Sequence, residues 1–242
     1  MIGPLLDPTA VAQRRQQNLA GASGDARAVT PSTRAFGLAI DKQRQQVERL
    51  PLLRCAREDL LEAAAALDQA EVAALAVWVD DPAAELDALL AISLASSVPV
   101  LRCDPLLDEF QLYQSRAAGC DAVLLSAALL GTQLGRMISA ARGTHMAACV
   151  LCETAAEVAL AVAARADVYA LPCGPAGIDP ALLAALPRRA LVLAVPEALD
   201  ARPIDALVGP LLGHADAVLD AQLALTPDPA AAFRAALAAD AG

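Results

Sequence analysis

The stretch Val98–Leu130, VPVLRCDPLLDEFQLYQSRAAGCDAVLLSAALL, decides the fold of this chain. It begins with the apolar run Pro99–Leu101, which is too short for a helix and suits a buried strand. Asp108–Ala118 then places apolar residues at helical spacing and is followed by Gly119, a common residue just after a helix end. The next run, CDAVLL, predicts a second buried strand. A strand, a helix and a strand in about thirty residues predict a βαβ unit with parallel strands.

Length and composition narrow the class of protein. The 242 residues suit one α/β barrel or one compact doubly wound domain, and both can bury a full core. The formal net charge of −10 argues against nucleic acid and against anionic membrane surfaces as partners, since both require a basic footprint. No apolar run approaches the roughly 20 residues of a membrane span, and no signal peptide is visible. The sequence therefore predicts a cytoplasmic protein.

The six cysteines are predicted to be small buried residues of a reduced protein. Cys149 and Cys152 form a CxxC pattern, but they lie within the apparent strand ACVLC. Residues three apart on a strand point to opposite faces, which argues against a shared metal ion or a redox disulfide. No second CxxC and no histidine pair supports a zinc site. We expect neither a metal nor a cofactor.

The deciding stretch resembles the third strand, third helix and fourth strand of the indole-3-glycerol phosphate synthase family. The family pattern PVLRKDF-IID-YQIYEAR-GADA-LL is matched at Pro99, Val100, Leu101, Arg102, Asp104, Asp108, Gln111, Tyr113, Arg116, Ala117, Gly119, Asp121 and Ala122. The resemblance implies a lyase of tryptophan biosynthesis, which closes the indole ring of carboxyphenylamino-deoxyribulose phosphate with loss of carbon dioxide and water. It also implies a fold, the α/β class (β/α)8 TIM barrel, and it extends weakly over residues 36–239.

Eight alternating strands and helices can be read along the chain in support of that fold. The predicted strands are Phe36–Ile40, Ala73–Val79, Pro99–Leu101, Cys120–Leu125, Cys149–Cys152, Asp167–Leu171, Leu191–Val195 and Ala217–Leu219. The predicted helices that frame them include Glu58–Ala70, Pro82–Ser93, Ala155–Ala164 and Pro229–Ala239. We therefore expect a single TIM barrel over residues 36–242. Residues 1–35 are expected to form a short, partly mobile N-terminal extension with one amphipathic segment, Pro8–Leu19.

The catalytic positions of the family are mostly replaced. The resemblance puts Ile40 in place of the first catalytic glutamate, and Lys42 in place of a lysine that contacts substrate. The general-acid lysine falls at Cys103, the second catalytic glutamate at Leu151 and an asparagine at Pro172. Cysteine is not a cationic acid near neutral pH, and leucine and isoleucine transfer no protons.

The two turns that hold the substrate phosphate in the family are also replaced. The family's Ser-Glu-Ser-Gly becomes Pro196-Glu197-Ala198-Leu199, and its Gly-Glu-Ser becomes Ala221-Gln222-Leu223. Phosphate binding at such turns needs backbone N–H groups that a close approach exposes, and side chains obstruct it. The ancestral ring closure is therefore predicted to be lost.

Three functions remain open. In the first, which the retained Lys42 and Glu197 favour over the two alternatives, the barrel has a rebuilt apolar pocket for a hydrophobic or uncharged small molecule. Its polar, potentially catalytic groups would be Lys42, Cys103, Asp104 and Glu197, and its ligand-binding wall Ile40, Leu151, Pro172, Ala198, Leu199 and Ala221. In the second, the chain is a non-catalytic pseudoenzyme that binds a protein partner or forms a homodimer. In the third, it is a true synthase of the family.

The predicted rim of the barrel contains a cysteine and several acidic residues whose roles have two interpretations each. Cys103 beside Arg102 is either a nucleophile with a lowered pKa or, as the simpler interpretation, a buried inert thiol. Acidic residues near the rim could hold a magnesium-bound diphosphate. Helix capping and pairing with arginine explain the same acids without a metal: Asp41, Asp80, Asp81, Asp104, Glu197 and Asp220.

Overall fold

Eight parallel strands close into a barrel in the computed structural model, which describes residues 29–197 and 204–240. Each strand pairs with the next along the chain, and the first pairs with the last. The strands are β1 Glu48–Arg54, β2 Leu75–Trp78, β3 Val100–Arg102, β4 Ala122–Ser126, β5 Ala147–Leu151, β6 Val168–Gly174, β8 Leu191–Pro196 and β9 Ala217–Asp220. A two-residue strand, β7 Gly177–Ile178, forms an antiparallel hairpin with the end of β6. The predicted TIM barrel is confirmed.

Helices of very different length surround the barrel. They are α1 Phe36–Ile40, α2 Leu60–Gln69, α3 Pro82–Ala95, α4 Glu109–Ala117, α5 Ala127–Leu130, α6 Leu134–Gly143, α7 Ala155–Ala163, α8 Pro180–Ala184, α9 Asp205–Leu211, α10 Ala221–Leu225 and α11 Pro229–Asp240. Among these, α8 and α9 have only five and seven residues, although they follow β7 and β8 where a full-length helix would cover the sheet. The helical layer is therefore thin on that side.

The deciding stretch folds as its pattern predicts. The Asp108 carboxylate accepts the N–H of Gln111 at 3.0 Å, and the Gln111 side chain accepts the N–H of Asp108 in return. This reciprocal capping box satisfies N–H groups that the first turn of α4 would otherwise leave without partners. Gly119 ends the unit with a φ of +86°, a left-handed conformation suited to glycine.

Side chains alternate between the barrel interior and the layer beneath the helices. Cys149 faces the interior together with Leu101 and Ala170, whereas Cys152 packs in the outer layer with Val150. The two cysteines of the CxxC pattern therefore point to opposite faces, as strand geometry predicts.

The predicted first strand is wrong. Phe36–Ile40 is the short helix α1, with Ala39 and Asp41 donating their N–H groups to the carbonyls of residues four earlier. Phe36 and Ile40 are four apart, so they share one helix face and pack together into the barrel interior. The first strand lies later, at Glu48–Arg54, and contains Pro51, which cannot donate a ladder hydrogen bond and weakens the strand pattern.

Helix α1 closes the amino-terminal end of the barrel. A side chain at Gly37 would meet Leu191, the first residue of β8, at 3.2 Å. The same helix borders a cleft with His145, Met146 and other residues that precede strands. Phe36 and Ile40 therefore fill the interior of the barrel at its amino-terminal end.

Three aspartates organise that amino-terminal end. They immediately precede β4, β6 and β9: Asp121, Asp167 and Asp216. Each donates its backbone N–H to a carbonyl at the start of the neighbouring strand, and its carboxylate accepts the N–H of that same residue. The partners are Val100, Ala148 and Val192, at N–O distances of 3.0, 3.0 and 2.7 Å. We call these paired bonds the aspartate clamps.

Each aspartate clamp also binds arginine. Asp216 lies 3.6 Å from Arg44, and Asp167 lies 2.6 Å from Arg142. Asp121, which is only 1% exposed, pairs with two arginines. One of them, Arg34, also donates to the carbonyls of residues 93, 96 and 119, so this clamp fastens the segment before α1 to the barrel.

Residues 1–28 lie outside the described part of the chain. The division into an extension over 1–35 and a barrel over 36–242, and the helix predicted at Pro8–Leu19, therefore stay predictions. Within residues 29–197 and 204–240, every helix is too short or too polar to cross a membrane.

We expect Asp121→Ala to lower the free energy of unfolding by about 3 kcal/mol, because it leaves the N–H of Val100 and two arginines without their buried acceptor. Urea unfolding of the purified variant measures this loss. Asp87→Ala, which removes an exposed aspartate from α3, is the matched control and should leave the unfolding midpoint nearly unchanged. Equal midpoints for the two variants would contradict a clamping role for Asp121.

Candidate functional site

The carboxyl-terminal mouth of the barrel is where enzymes of this fold place their chemistry. Here the inward-facing residues at the ends of β1 to β5 are buried and mostly apolar. They are Leu52, Trp78, Cys103, Leu124 and Leu151, each between 2% and 6% exposed. These side chains pack into one continuous cluster with the rest of the interior. The upper barrel is a packed layer at this level.

Cys103 lies within that layer, directly after β3. Its thiol donates to the carbonyl of Leu101 at 3.8 Å, and the residue is 2% exposed. Burial raises the pKa of the Cys103 thiol well above its usual range, and the nearby Cys149 and Asp104 raise it further. These surroundings hold Cys103 as a neutral thiol and oppose formation of a thiolate nucleophile.

Asp104 faces away from the interior. It forms two hydrogen bonds with the Arg102 guanidinium, at 2.7 and 2.8 Å, and both side chains are fully buried. Arg102 also donates to the hydroxyl of Ser115 on α4. Burial lowers the pKa of the Arg102 guanidinium, but the charge and hydrogen bonds of Asp104 outweigh burial and raise it. This ion pair joins β3 to its helix.

Ile40 and Lys42 lie at the opposite end of the barrel from Cys103. Ile40 is buried on α1, and the Lys42 ammonium is 3.8 Å from Glu48, the first residue of β1. Their predicted positions at the mouth rested on the wrong first strand. The structure therefore does not bring Lys42 together with Cys103 or Asp104.

Three more of the predicted residues lie on or directly after β6, β8 and β9, on the other side of the mouth. Glu197 follows β8, is exposed, and its carboxylate lies 3.8 Å from the position of a side chain on Gly174. Pro172 on β6 is half-buried, and Ala221 packs partly against the interior cluster. Ala198 and Leu199 lie outside the described residues. The chemical roles assigned to all of these residues stay predictions.

A polar cluster at the rim was missed by the sequence analysis. The Arg54 guanidinium forms hydrogen bonds of 3.2 and 2.6 Å with the carboxylate of Asp80. The same carboxylate accepts the indole N–H of Trp78 at 2.9 Å, and the guanidinium lies 6.0 Å above the indole ring. Arg54 is the last residue of the true β1, two after the inward-facing Leu52, where the resemblance implies a lysine two after a glutamate. With the first strand assigned to Glu48–Arg54, the resemblance would have placed Arg54 at the position of that lysine.

The start of α10, where the resemblance implies a phosphate site, is capped by the chain itself. The Asp220 carboxylate accepts the N–H groups of Gln222 and Leu223 at 3.0 and 3.1 Å. It also lies 3.6 Å from the buried guanidinium of Arg49, which pairs with Asp205 as well. Burial raises the pKa of Asp220, and its hydrogen bond from Leu223 and the charge of Arg49 oppose that rise. A fixed internal carboxylate thus occupies two donors that an external anion would need.

The rim acids are not gathered around a common point. Asp81 caps α3 by accepting the N–H of Ala83, and Asp41 accepts the N–H of Gln43 at the other end of the barrel. Among the residues that the structure describes, no group of three or more His, Cys, Asp or Glu side chains is placed to hold a metal ion.

Comparison with known proteins agrees with this fold. Residues 51–171, half of the chain, match the family model described as indole-3-glycerol phosphate synthase. Proteins of that name from Halobacterium salinarum and Kineococcus radiotolerans are 50% and 44% identical over 82 and 84 residues, each match covering 34% of this chain. A third, from Albidiferax ferrireducens, is 40% identical over 111 residues, or 44% of this chain.

These matches span 32%, 31% and 42% of the length of the three relatives, less than half of each protein. Among solved structures, orotidine 5'-phosphate decarboxylase from Pyrococcus horikoshii superposes with a TM-score of 0.61, covering 80% of this chain and 100% of its own. Its sequence identity is 12%, so this likeness concerns the fold alone.

We expect all six cysteines to resist thiol reagents while the protein is folded. Each is buried, and burial raises the thiol pKa of Cys55, Cys120, Cys152 and Cys173 to about 12. Raising the pH from about 7 to about 9 should therefore not accelerate reaction with Ellman's reagent, because thiolates do not form in that range. Full reaction in guanidinium is the control. Rapid loss of one thiol near neutral pH, assigned to Cys103 by mass spectrometry, would reinstate it as a nucleophile.

Asp104→Ala should destabilise the chain by about 3–5 kcal/mol, because it leaves the Arg102 guanidinium buried without its charge partner. The double variant Arg102→Met/Asp104→Leu removes both charges and should recover part of that loss. Chemical denaturation of the two variants and the wild type measures both effects. A stability unchanged in Asp104→Ala would mean that the carboxylate is kept for chemistry and not for the ion pair.

Proposed function

Because the chain belongs to the indole-3-glycerol phosphate synthase family, we propose that it is a member that no longer closes the indole ring and serves as a non-catalytic scaffold. The observation that carries this proposal is Cys103. Ring closure with loss of carbon dioxide and water needs a proton donor beside the substrate. At the position where the resemblance implies the acid lysine, the chain has a buried thiol with a raised pKa, inside a packed apolar layer.

The phosphate side of the mouth supports the same proposal. A substrate phosphate would require the N–H groups at the start of α10, and the Asp220 carboxylate accepts two of them. Its negative charge would repel a phosphate at the same place. Binding and proton transfer are thus both opposed, by independent residues on different strands.

The scaffold is favoured over a rebuilt pocket because the polar groups expected to line such a pocket are separated. Lys42 pairs with Glu48 at the amino-terminal end, and Asp104 pairs with Arg102 under the helices. Of the four groups, this leaves Cys103, which is buried, and Glu197.

Two exposed leucines at the amino-terminal end of the barrel offer an apolar surface for a protein partner. Leu38 on α1 and Leu94 at the end of α3 are 77% and 79% exposed. Leu38 lines one cleft and Leu94 lines another, and Arg34 lines both clefts. We propose that a protein partner would cover these two leucines.

The purified chain should form no indole-3-glycerol phosphate from carboxyphenylamino-deoxyribulose phosphate, as followed by indole fluorescence. The same compound should leave the thermal unfolding midpoint unchanged, because a ligand that binds the native state raises it. The relative of this name from Kineococcus radiotolerans serves as the reference protein, and circular dichroism verifies that the chain under test is folded.

Turnover of the compound would overturn the proposal and make the chain a true synthase. A raised midpoint without turnover would show that the mouth still binds phosphate despite Asp220. A midpoint raised only by uncharged apolar compounds would favour the rebuilt pocket instead of the scaffold.

A further inference from the structure

A cleft between α8 and α9 differs in charge from the rest of the molecule. It has a volume of about 540 Å³ and runs along the outside of the barrel from the β6–β7 hairpin to residues that precede β8 and β9. It exists because α8 and α9 are too short to meet over the sheet. From these features we infer that the cleft binds a small amphiphilic anion, with an apolar body and one anionic head group.

The walls of the cleft suit the apolar body of such a ligand. Ile178, Leu183, Leu186 and three prolines line it, and Ile178 is buried beneath the others. Binding sites for small molecules are typically clefts of about 300–1,000 Å³ with mostly apolar walls and a few polar groups. The volume and the lining both fall within that description.

The polar groups of the cleft are cationic or neutral. Arg44, Arg188 and His214 line it, and among the residues that the structure describes no aspartate or glutamate does. The other three clefts described around the barrel each include at least one aspartate. In a chain with a formal net charge of −10, a cleft whose described lining has two arginines and no carboxylate is a local reversal of charge, and of these two arginines Arg44 is paired with a carboxylate, Asp216, outside the lining. Such a reversal favours anions and disfavours amines.

A tight backbone turn positions the Arg44 side chain at the cleft. Gln43 and Arg44 have φ values of +54° and +57°, and Gln45 donates its N–H to the carbonyl of Lys42 at 3.1 Å. This is a tight turn with two consecutive left-handed residues, a conformation that residues other than glycine adopt at a cost. The turn directs the Arg44 guanidinium to the carbonyl of Ala190, at 2.5 Å.

Arg44 keeps one side toward the cleft. Its guanidinium contacts the Ala190 carbonyl and lies 3.6 Å from Asp216, and the side chain is still 30% exposed. Arg188 is exposed at the same end of the cleft, and it makes no hydrogen bond or ion pair with the residues that the structure describes. An anionic head group between these two arginines would leave its apolar body against Leu183 and Leu186.

Octanoate and octyl phosphate are suitable probes, because their alkyl chains differ by one carbon and the main difference between them is the anionic group. Isothermal titration calorimetry with each should detect binding to the full chain, and octanol and octylamine should bind at least about tenfold more weakly. Amide shifts in 15N–1H spectra should map to α8, α9 and the turn at Gln43 and Arg44. Whichever anion binds more tightly identifies the preferred head group, and either result supports the proposal.

Arg188→Glu should weaken octanoate binding by about tenfold or more, because it reverses one of the two charges at the head group. Arg188→Lys should keep most of the affinity, and Arg234→Glu, an exposed arginine on α11, is the matched control and should not change it. Equal binding of octanoate, octanol and octylamine, an equal loss in Arg234→Glu, or amide shifts at the barrel mouth would overturn the proposal. Arg188 and Arg234 both lie away from the barrel mouth. The result of this binding experiment is therefore independent of the ring-closure assay.

Discussion

The aspartate clamps set the geometry on which the rest of the barrel depends. Each clamp joins the first residues of two parallel strands by two hydrogen bonds, so the register of β3 with β4, β5 with β6 and β8 with β9 is fixed at the amino-terminal end. Parallel strands have no hairpin to align them, and a carboxylate at this position takes over that task. Because a slip of one residue would turn interior side chains outward, fixing the register also fixes which side chains reach the mouth.

Much of this architecture could be predicted from the sequence, and the error has a definite physical origin. The helical spacing of α4, the glycine that follows it and the alternation of Cys149 and Cys152 are local signals, and they predicted the structure correctly. The run Phe36–Ile40 is apolar and short, and its large side chains alternate along the chain, so both its length and its period fit a strand. The folded chain buries Phe36 and Ile40 and leaves Leu38 exposed, which is the pattern of a helix. The true first strand was missed because it contains Pro51, a residue that argues against a strand within a sheet.

The site could be predicted only in part, because it depends on contacts between residues distant in the chain. Cys103 was located correctly because its neighbours in the βαβ unit fix its position after β3. Arg54, Trp78 and Asp80 come together from two strands, and no spacing in the sequence reveals that contact. The Asp220 carboxylate accepts backbone N–H groups at the start of α10 because of the direction in which its side chain points. A comparison of residue types does not predict that direction.

The pairing of Asp220 with Arg49 also bears on how this chain could change over time. Replacing Asp220 would free the donors at α10, but it would leave the buried Arg49 guanidinium with less compensating charge. Replacing Arg49 first would leave Asp220 buried beside its helix with no guanidinium nearby. Each single step is therefore costly in stability, although both together are less so. Such coupling makes the pair resistant to change: a chain that contains both residues cannot easily lose them by one substitution at a time.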